Sequence, residues 1–173
     1  LSVILITLLV ITVFSNFILL PKPDPVPPVA FDTGDTAWMI VATALVLIMT
    51  PGLGFFYGGM VGKKNVISTV LQSFMAMVIV TVLWVVIGFG LCFGPSVGGL
   101  IGNPIPNLFF QGVGVKTAWS LAPTIPLMLF ALFQAKFAII TPALITGAFA
   151  ERIRFWAYLL FMVLFILFIY TPL

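Results

Sequence analysis

The sequence predicts an all-α protein, a polytopic bundle of membrane-spanning helices, and two observations carry that prediction. Only 6 % of the 173 residues are charged, whereas a soluble domain carries about 25 %. Charge-free runs long enough to cross a bilayer core, which takes about 20 helical residues, follow one another along the chain. A backbone in lipid must satisfy its own hydrogen bonds, and the runs show no alternation of apolar and polar residues, so we expect helices.

The N-terminal region divides into two parts. Residues 1–20 form the first apolar run, which Pro21 ends, and they are either a signal peptide or an extra transmembrane helix. Residues 21–36 contain the sequence PKPDPVPP, which indicates a proline-rich, non-helical segment on the external side. Either reading of 1–20 leaves the orientation of the following helices the same.

The remainder, 37–173, is predicted to be a partial membrane domain. We expect four helices, at about 37–62, 66–93, 124–150 and 155–173. The second and third are separated by a long segment rich in Gly, Pro and Asn, residues 94–122. The other two connections are short and charged, which is typical of turns between neighbouring membrane helices.

Basic residues in the short turns predict the orientation. Lys63 and Lys64 lie in the turn after the first of these helices. Arg152 and Arg154 lie in the turn after the third, so the two turns share a side. Short loops rich in Lys and Arg stay in the cytoplasm. We therefore expect both turns to be cytoplasmic and the protein to lie in the plasma membrane as a multi-pass protein.

The composition also excludes several functional classes. The formal net charge of +3 rests on seven basic residues, most of them in the two turns, so no nucleic-acid surface is expected. The chain has no histidine and only four acidic residues. We therefore expect no catalytic residue, metal site or cofactor, and no enzymatic activity. A lone cysteine, Cys92, cannot form an internal disulfide.

The triplet Asp32-Thr33-Gly34 is the one found in aspartic proteases. That chemistry needs two carboxylates that face each other and share a proton, and the sequence has no second copy. Because the triplet runs directly into an apolar helix, Asp32 and Thr33 are predicted to be N-cap residues.

Two blocks of sequence carry a family resemblance. The first block contains GDTAW at 34–38, MTPGL at 49–53 and FYGGMV at 56–61. The second contains FQ at 133–134, FAIITPALI at 137–145 and GAFAERIRF at 147–155. In this order and at this separation they resemble the Amt ammonium transporters, over about Phe31 to Leu173.

The resemblance implies a fold, a substrate and partners. The fold would be an eleven-helix channel with inverted repeats, of which this chain holds about the first four core helices. The substrate would be ammonium or its analogue methylammonium. The partners would be the lipid bilayer, two further copies in a homotrimer and a cytoplasmic regulatory protein. An Amt-like ammonium sensor with a signalling C-terminal domain is the alternative, and the family's twin pore histidines and cage tryptophan are not found in these residues.

Phe133 and Phe137 are the predicted substrate-binding residues. They are four residues apart, so their rings lie on one face of a helix. At about 1.5 Å per residue, Phe137 lies about 21 Å and Phe133 about 27 Å from Glu151, near the outer mouth. By the resemblance, aromatic residues here form the external ammonium site and the gate below it. Such rings attract a cation by about 0.5–2 kcal/mol per contact.

Lys136 lies between these two residues in the sequence. A charge inside a membrane is by default a functional hypothesis, yet no acidic residue of the predicted helices could pair with it. A fixed cation beside the entrance would repel ammonium. We therefore expect Lys136 to extend toward the outer interface rather than to line the path.

Three glycines in the first core helix predict a close helix contact. Gly54, Gly58 and Gly62 follow one another at intervals of four, which places them on one face. A face of small residues lets the backbone of a neighbouring helix approach. We expect this face to serve packing.

Overall fold

The computed structural model describes residues 30–98 and 101–172. The prediction for residues 1–20 falls outside the described residues. Of the predicted segment 21–36, only residues 30–36 are described. Within the described ranges, four helical segments form a bundle: α1 (Thr33–Met60), α2 (Val66–Phe93), α3 (Leu127–Phe149) and α4 (Phe155–Tyr170). Helices α1, α2 and α3 are long and apolar enough to cross a membrane, and α4 is a shorter apolar helix. The predicted membrane helix bundle is confirmed.

Both ends of α1 differ from the predicted range of 37–62. The helix begins four residues earlier, at Thr33, because the carboxylate of Asp32 accepts a hydrogen bond from the backbone N–H of Asp35 at 2.8 Å. That bond satisfies a donor that the first turn leaves free, and it confirms Asp32 as the N-cap, while Thr33 is already helical. At the other end the helix stops at Met60, because Val61 is extended.

The third helix is shorter than the predicted range of 124–150. It begins at Leu127, because Pro126 precedes it in an extended conformation with a ψ of 137°. It ends at Phe149, since Ala150 has a ψ of 129° and Glu151 has a positive φ of 64°. The second helix has the predicted range, and it contains a π-helical turn at Trp84–Gly88. A second π-helical turn, Ile166–Tyr170, ends α4.

The two ends of the bundle differ in their connections. Turns 61–65 and 150–154 share one end, which we call the basic end. The opposite end, which we call the loop end, carries the long segment between α2 and α3. This segment contains a small antiparallel hairpin, Ser96–Val97 with Ile101–Gly102, and a 3-10 helix, Ile105–Phe110. The hairpin is a local addition to an otherwise helical structure.

Small residues bring α1 and α2 together, as the glycine spacing predicts. A Cβ atom at Gly54 would lie 3.1 Å from the Cβ of Ser73, and one at Gly58 would lie 2.8 Å from a methyl group of Val70. Rising numbers on α1 meet falling numbers on α2, so the two helices are antiparallel. Gly62, by contrast, lies against the carboxylate of Glu151 rather than against a helix.

The buried interior changes character along the bundle. Toward the loop end it is aromatic and aliphatic, and the rings in contact there include Trp84, Phe89, Phe93, Trp119 and Phe130. Toward the basic end it contains hydroxyl and amide groups, on Thr69, Gln72, Ser73, Thr146 and Tyr158. The loop-end half is therefore the less polar part of the described interior, although Thr171 is buried there.

Candidate functional site

The structure brings Phe133 and Phe137 into direct contact on α3. Their ring centroids are 5.0 Å apart and the ring planes meet at 71°, an edge-to-face arrangement. Phe137 is 38 % exposed, so part of its side chain is open to whatever lies beside α3. Thr141 follows one turn later, and its hydroxyl donates to the carbonyl of Phe137 at 2.7 Å. We call Phe133, Phe137 and Thr141 the α3 stripe.

A cavity of about 490 Å³ lies where the α3 stripe ends. Its walls come from α2, α3 and the end of α4, and the lining side chains are Trp84, Cys92, Phe93, Thr141, Tyr170 and Thr171. Because Thr141 belongs to both features, the stripe leads from the exposed ring of Phe137 to the cavity wall.

The two π-helical turns position aromatic side chains at this cavity. Trp84 begins the turn in α2 and Tyr170 ends the turn in α4, and their ring centroids are 6.3 Å apart. The indole N–H of Trp84 donates to the carbonyl of Ala131 at 3.1 Å, which fixes the ring against α3. A π-helical turn holds an extra residue and changes the direction of the side chains that follow, and such turns are frequent at functional sites.

The cavity lining is neutral. It consists of aromatic rings, hydroxyl groups and one thiol, none of which is a carboxylate or an ammonium group. A bare ion entering such a space loses its hydration shell at high cost, whereas a small neutral molecule does not. Aromatic faces can still hold a cation at the entrance.

Lys136 lies off the α3 stripe. It is half-buried on α3. As the direct neighbour of Phe137, it is turned about 100° from that residue around the helix axis. This geometry does not place its ammonium group on the stripe, but its role stays a prediction.

A hydrogen-bonded clamp joins the two turns at the basic end. The carboxylate of Glu151 accepts from the backbone N–H of Gly62 at 2.7 Å and from the side-chain amide of Asn65 at 3.1 Å. The bond from Asn65, followed by the one from Gly62, lowers the pKa of Glu151 below its ordinary value. The left-handed backbone of Glu151 is unusual for a residue with a side chain.

A second contact at the basic end fixes α1 against α3. The phenol of Tyr57 donates to the carbonyl of Leu144 at 2.8 Å, and its ring occupies the space that Gly147 leaves free. Tyr57, Gly147 and Glu151 all line a cavity of about 310 Å³ that opens at this end. The clamp and the Tyr57 contact therefore shape the basic-end opening.

The sequence predicted that Phe133 and Phe137 share a helix face, and their rings are in contact. Their role in binding stays a prediction, and most of the side chains around them were not predicted. Thr141 could have been found, since it continues the spacing of four from Phe137. The contact between Trp84 and Tyr170 could not, because a π-helical turn leaves no simple periodic signal. The clamp was also missed, although a single carboxylate in a turn with two arginines was a visible sign.

Comparison with known proteins gives the family. The sequence model of the Ammonium Transporter Family matches residues 37–173. An ammonium transporter of Mycobacterium bovis is 47 % identical over 154 residues, which cover 82 % of this chain and 32 % of that protein. The ammonium transporter of Bacillus subtilis is 48 % identical over 139 residues, which cover 80 % of this chain and 34 % of that protein. The chain thus spans about a third of the length of the curated relatives it matches.

Solved structures show the same fold. Candida albicans Mep2 superposes with a TM-score of 0.72 at 31 % identity, covering 82 % of this chain and 30 % of that one. A protein described as a sensor Amt protein superposes with a TM-score of 0.69 at 29 % identity, covering 79 % and 32 %. The family match, the relatives and the fold agree, and the chain belongs to the ammonium transporter family.

Proposed function

We propose that the complete protein conducts ammonium, and methylammonium as its analogue, across the membrane. The observation that carries the proposal is the family match over residues 37–173. The neutral cavity beside the α3 stripe supports it, because aromatic rings and hydroxyl groups suit a small cation that sheds its charge on entry.

In the proposed path, Phe133 and Phe137 receive the cation at the loop end. The partly exposed ring of Phe137 attracts ammonium through its quadrupole while water is removed from the cation. Carrying the charge further through apolar surroundings costs far more than carrying a neutral molecule of the same size. We therefore expect ammonium to pass its proton to a base before ammonia crosses the apolar part of the path. That base lies outside the α3 stripe and the cavity lining, which carry only aromatic, hydroxyl and thiol groups.

The orientation and partners belong to the same proposal. We place the protein in the plasma membrane with the Lys63–Lys64 and Arg152–Arg154 turns in the cytoplasm. We propose that the protein forms a homotrimer. Helix α1 would then face lipid or other helices, because α1 is the least buried of the three long helices. A cytoplasmic regulatory protein would meet the basic end, where the cavity beside Glu151 opens.

A membrane sensor of ammonium is the competing function. Its support is the similarity to the sensor Amt protein. Transport has the broader support, because relatives from Mycobacterium bovis, Aquifex aeolicus and Bacillus subtilis are all described as ammonium transporters.

Flux through the complete protein tests the proposal. The protein is reconstituted in liposomes, and the uptake of labelled methylammonium is followed after a concentration step, with and without competing ammonium. We expect uptake above that of protein-free liposomes, and ammonium should reduce it. Binding of ammonium without any flux above the protein-free level would reject transport in favour of the sensor.

A further inference from the structure

The clamp at the basic end holds a turn that contains two lysines. The backbone N–H of Asn65 donates to the carbonyl of Gly62 at 2.8 Å and closes this turn. Lys63 and Lys64 are its central residues. Gly62 and Asn65 both donate to the carboxylate of Glu151, at 2.7 Å and 3.1 Å. The clamp therefore fixes both ends of the lysine turn against the turn that follows α3.

The turn that follows α3 contributes two more cations. The backbone N–H of Arg152 donates to the carbonyl of Phe149 at 3.0 Å, which closes this turn directly beside Glu151. Arg154 is the N-cap residue of α4. The basic residues of the two turns are therefore neighbours of the residues that the clamp joins, although they lie about 90 positions apart in the sequence.

The basic end keeps an excess of positive charge. Its four basic side chains are all exposed, namely Lys63, Lys64, Arg152 and Arg154. Glu151 is the one acidic residue of the two turns. Its described bonds go to the amide of Asn65 and the backbone N–H of Gly62 instead of to a lysine or an arginine. The cations are therefore available to an anion from outside the chain.

Two helices begin at the basic end without a side-chain cap. Asn65 precedes α2, but its amide bonds to Glu151 and its side chain does not cap the helix. Arg154 precedes α4 and does not cap it either. The first turn of a helix leaves backbone N–H groups free, and its positive end favours an anion. An anion beside the two turns would add to the cations the attraction of these helix ends.

Exposed apolar side chains lie next to the same turns. Ile67 in the first turn of α2 is 82 % exposed, and Trp156 in the first turn of α4 is 71 % exposed. Tryptophan is enriched at the boundary between membrane and water, where its ring lies at the level of the headgroups. Acyl chains can cover these side chains while an anionic headgroup meets the cations. This combination favours a lipid over an acidic soluble protein.

We propose that the basic end binds the headgroup of an anionic phospholipid. The headgroup phosphate accepts hydrogen bonds from the lysine turn and from Arg152, and the acyl chains run past Ile67 and Trp156. The site depends on membrane insertion alone. Its failure would leave the proposed transport function unchanged, because neither the α3 stripe nor the neutral cavity takes part in it.

Lipid binding to the complete protein tests the site. The protein in detergent is titrated with phosphatidylglycerol or with phosphatidylcholine of the same acyl chains, and bound lipid is counted by native mass spectrometry. We expect tighter binding of phosphatidylglycerol, and inorganic phosphate at the same concentration should not displace it. Lys63→Gln and Arg152→Gln should each weaken phosphatidylglycerol binding about fivefold and leave phosphatidylcholine binding unchanged. Lys116→Gln, at an exposed position of the loop end, is the matched control and should bind as wild type.

A further variant tests whether the clamp arranges the cations. Asn65→Ala keeps every charge and removes one clamp bond, so phosphatidylglycerol binding should weaken in a protein that still unfolds cooperatively on heating. Unchanged binding in Asn65→Ala would contradict the role of the clamp.

Two results would overturn the proposal as a whole. One is equal affinity of the wild type for the two lipids. The other is wild-type binding of phosphatidylglycerol by both Lys63→Gln and Arg152→Gln, which would leave the basic turns to an acidic soluble partner.

Discussion

At Gly90, the long connecting segment packs closely against α2. A Cβ atom there would lie 2.7 Å from the Cα of Pro104 and 2.9 Å from its carbonyl oxygen. Both are backbone atoms, so they cannot move aside as the end of a flexible side chain can. Gly59 on α1 has open space around it. The two glycines therefore differ in the space that a methyl group would find, and this space decides whether alanine can replace them.

Gly90→Ala should destabilise the complete protein. The added methyl group forces the loop-end segment away from α2, and such overpacking costs about 1–3 kcal/mol. Gly59→Ala is the matched control, and it should stabilise α1 by about 0.5–1 kcal/mol because alanine favours the helix. Thermal unfolding in detergent measures both. Equal melting temperatures for the two variants would show that the loop segment does not pack on Gly90.

A second prediction at the residue scale concerns the effect of Lys136 on transport. Since it is turned away from the α3 stripe and only half-buried, Lys136→Met should fold and should keep methylammonium uptake near the wild-type rate. The variant retains the length of the side chain and removes the charge. Uptake lost in a protein of normal size and stability would place the ammonium group in the transport path and refute our interpretation.

At the scale of elements, the clamp at the basic end joins two turns that are distant in sequence. Glu151 follows α3, whereas Gly62 and Asn65 connect α1 to α2. The bonds therefore hold three helices in one arrangement around the basic-end cavity. Because the carboxylate is fully exposed, solvent weakens the electrostatic part of this contact.

The clamp predicts a pH dependence of stability. The pKa of Glu151 is lowered in the folded protein, so its contribution is present above the unfolded value of about 4.3 and is lost as the pH falls through the folded value. Melting temperatures of wild type and Glu151→Gln should differ by a constant amount from about pH 7 to pH 5. The difference should shrink at pH values below about 4.3.

The other acidic residues are the same in wild type and in Glu151→Gln, so their contributions to the pH dependence cancel in this comparison. Asn65→Ala, which removes the donor named first among the causes of the shift, should reduce the same pH-dependent difference. The difference in melting temperature between wild type and Glu151→Gln could instead stay unchanged down to acid pH. That result would show that the carboxylate charge takes no part in the clamp.

The sequence predicted the elements better than it predicted the contacts between them. The charge-free runs are long, and so α1, α2 and α3 were visible, with boundaries shifted by a few residues at caps such as Asp32 and Pro126. The contact of Phe133 with Phe137 followed from a spacing of four. The clamp and the aromatic walls of the cavity depend on contacts between distant residues and on π-helical turns, which local pattern does not encode.

At the scale of the whole molecule, the described bundle exposes much apolar surface. Trp38, Leu45, Phe55 and Phe56 on α1 are all more than half exposed. Lipid or further protein helices must cover such a surface. The chain spans about a third of its relatives, and sites in transporters with inverted repeats lie between the two halves.

Residues 1–173 expressed alone should therefore not conduct ammonium. Liposomes that contain this chain should take up labelled methylammonium at the rate of protein-free liposomes, while the complete protein takes it up faster. Flux through the isolated chain above the protein-free rate would show that these helices are sufficient for a path, and our account of the fold would have to change.

The central claim is that the α3 stripe lines the path of ammonium. The most direct measurement is methylammonium uptake by the complete protein carrying Phe137→Ala, compared with Phe168→Ala, a matched change at an exposed position on α4. We expect Phe137→Ala to change the rate of uptake or its competition by ammonium, because it removes the open aromatic ring, whereas Phe168→Ala should behave as wild type. Wild-type uptake and competition in a folded Phe137→Ala protein would contradict the claim.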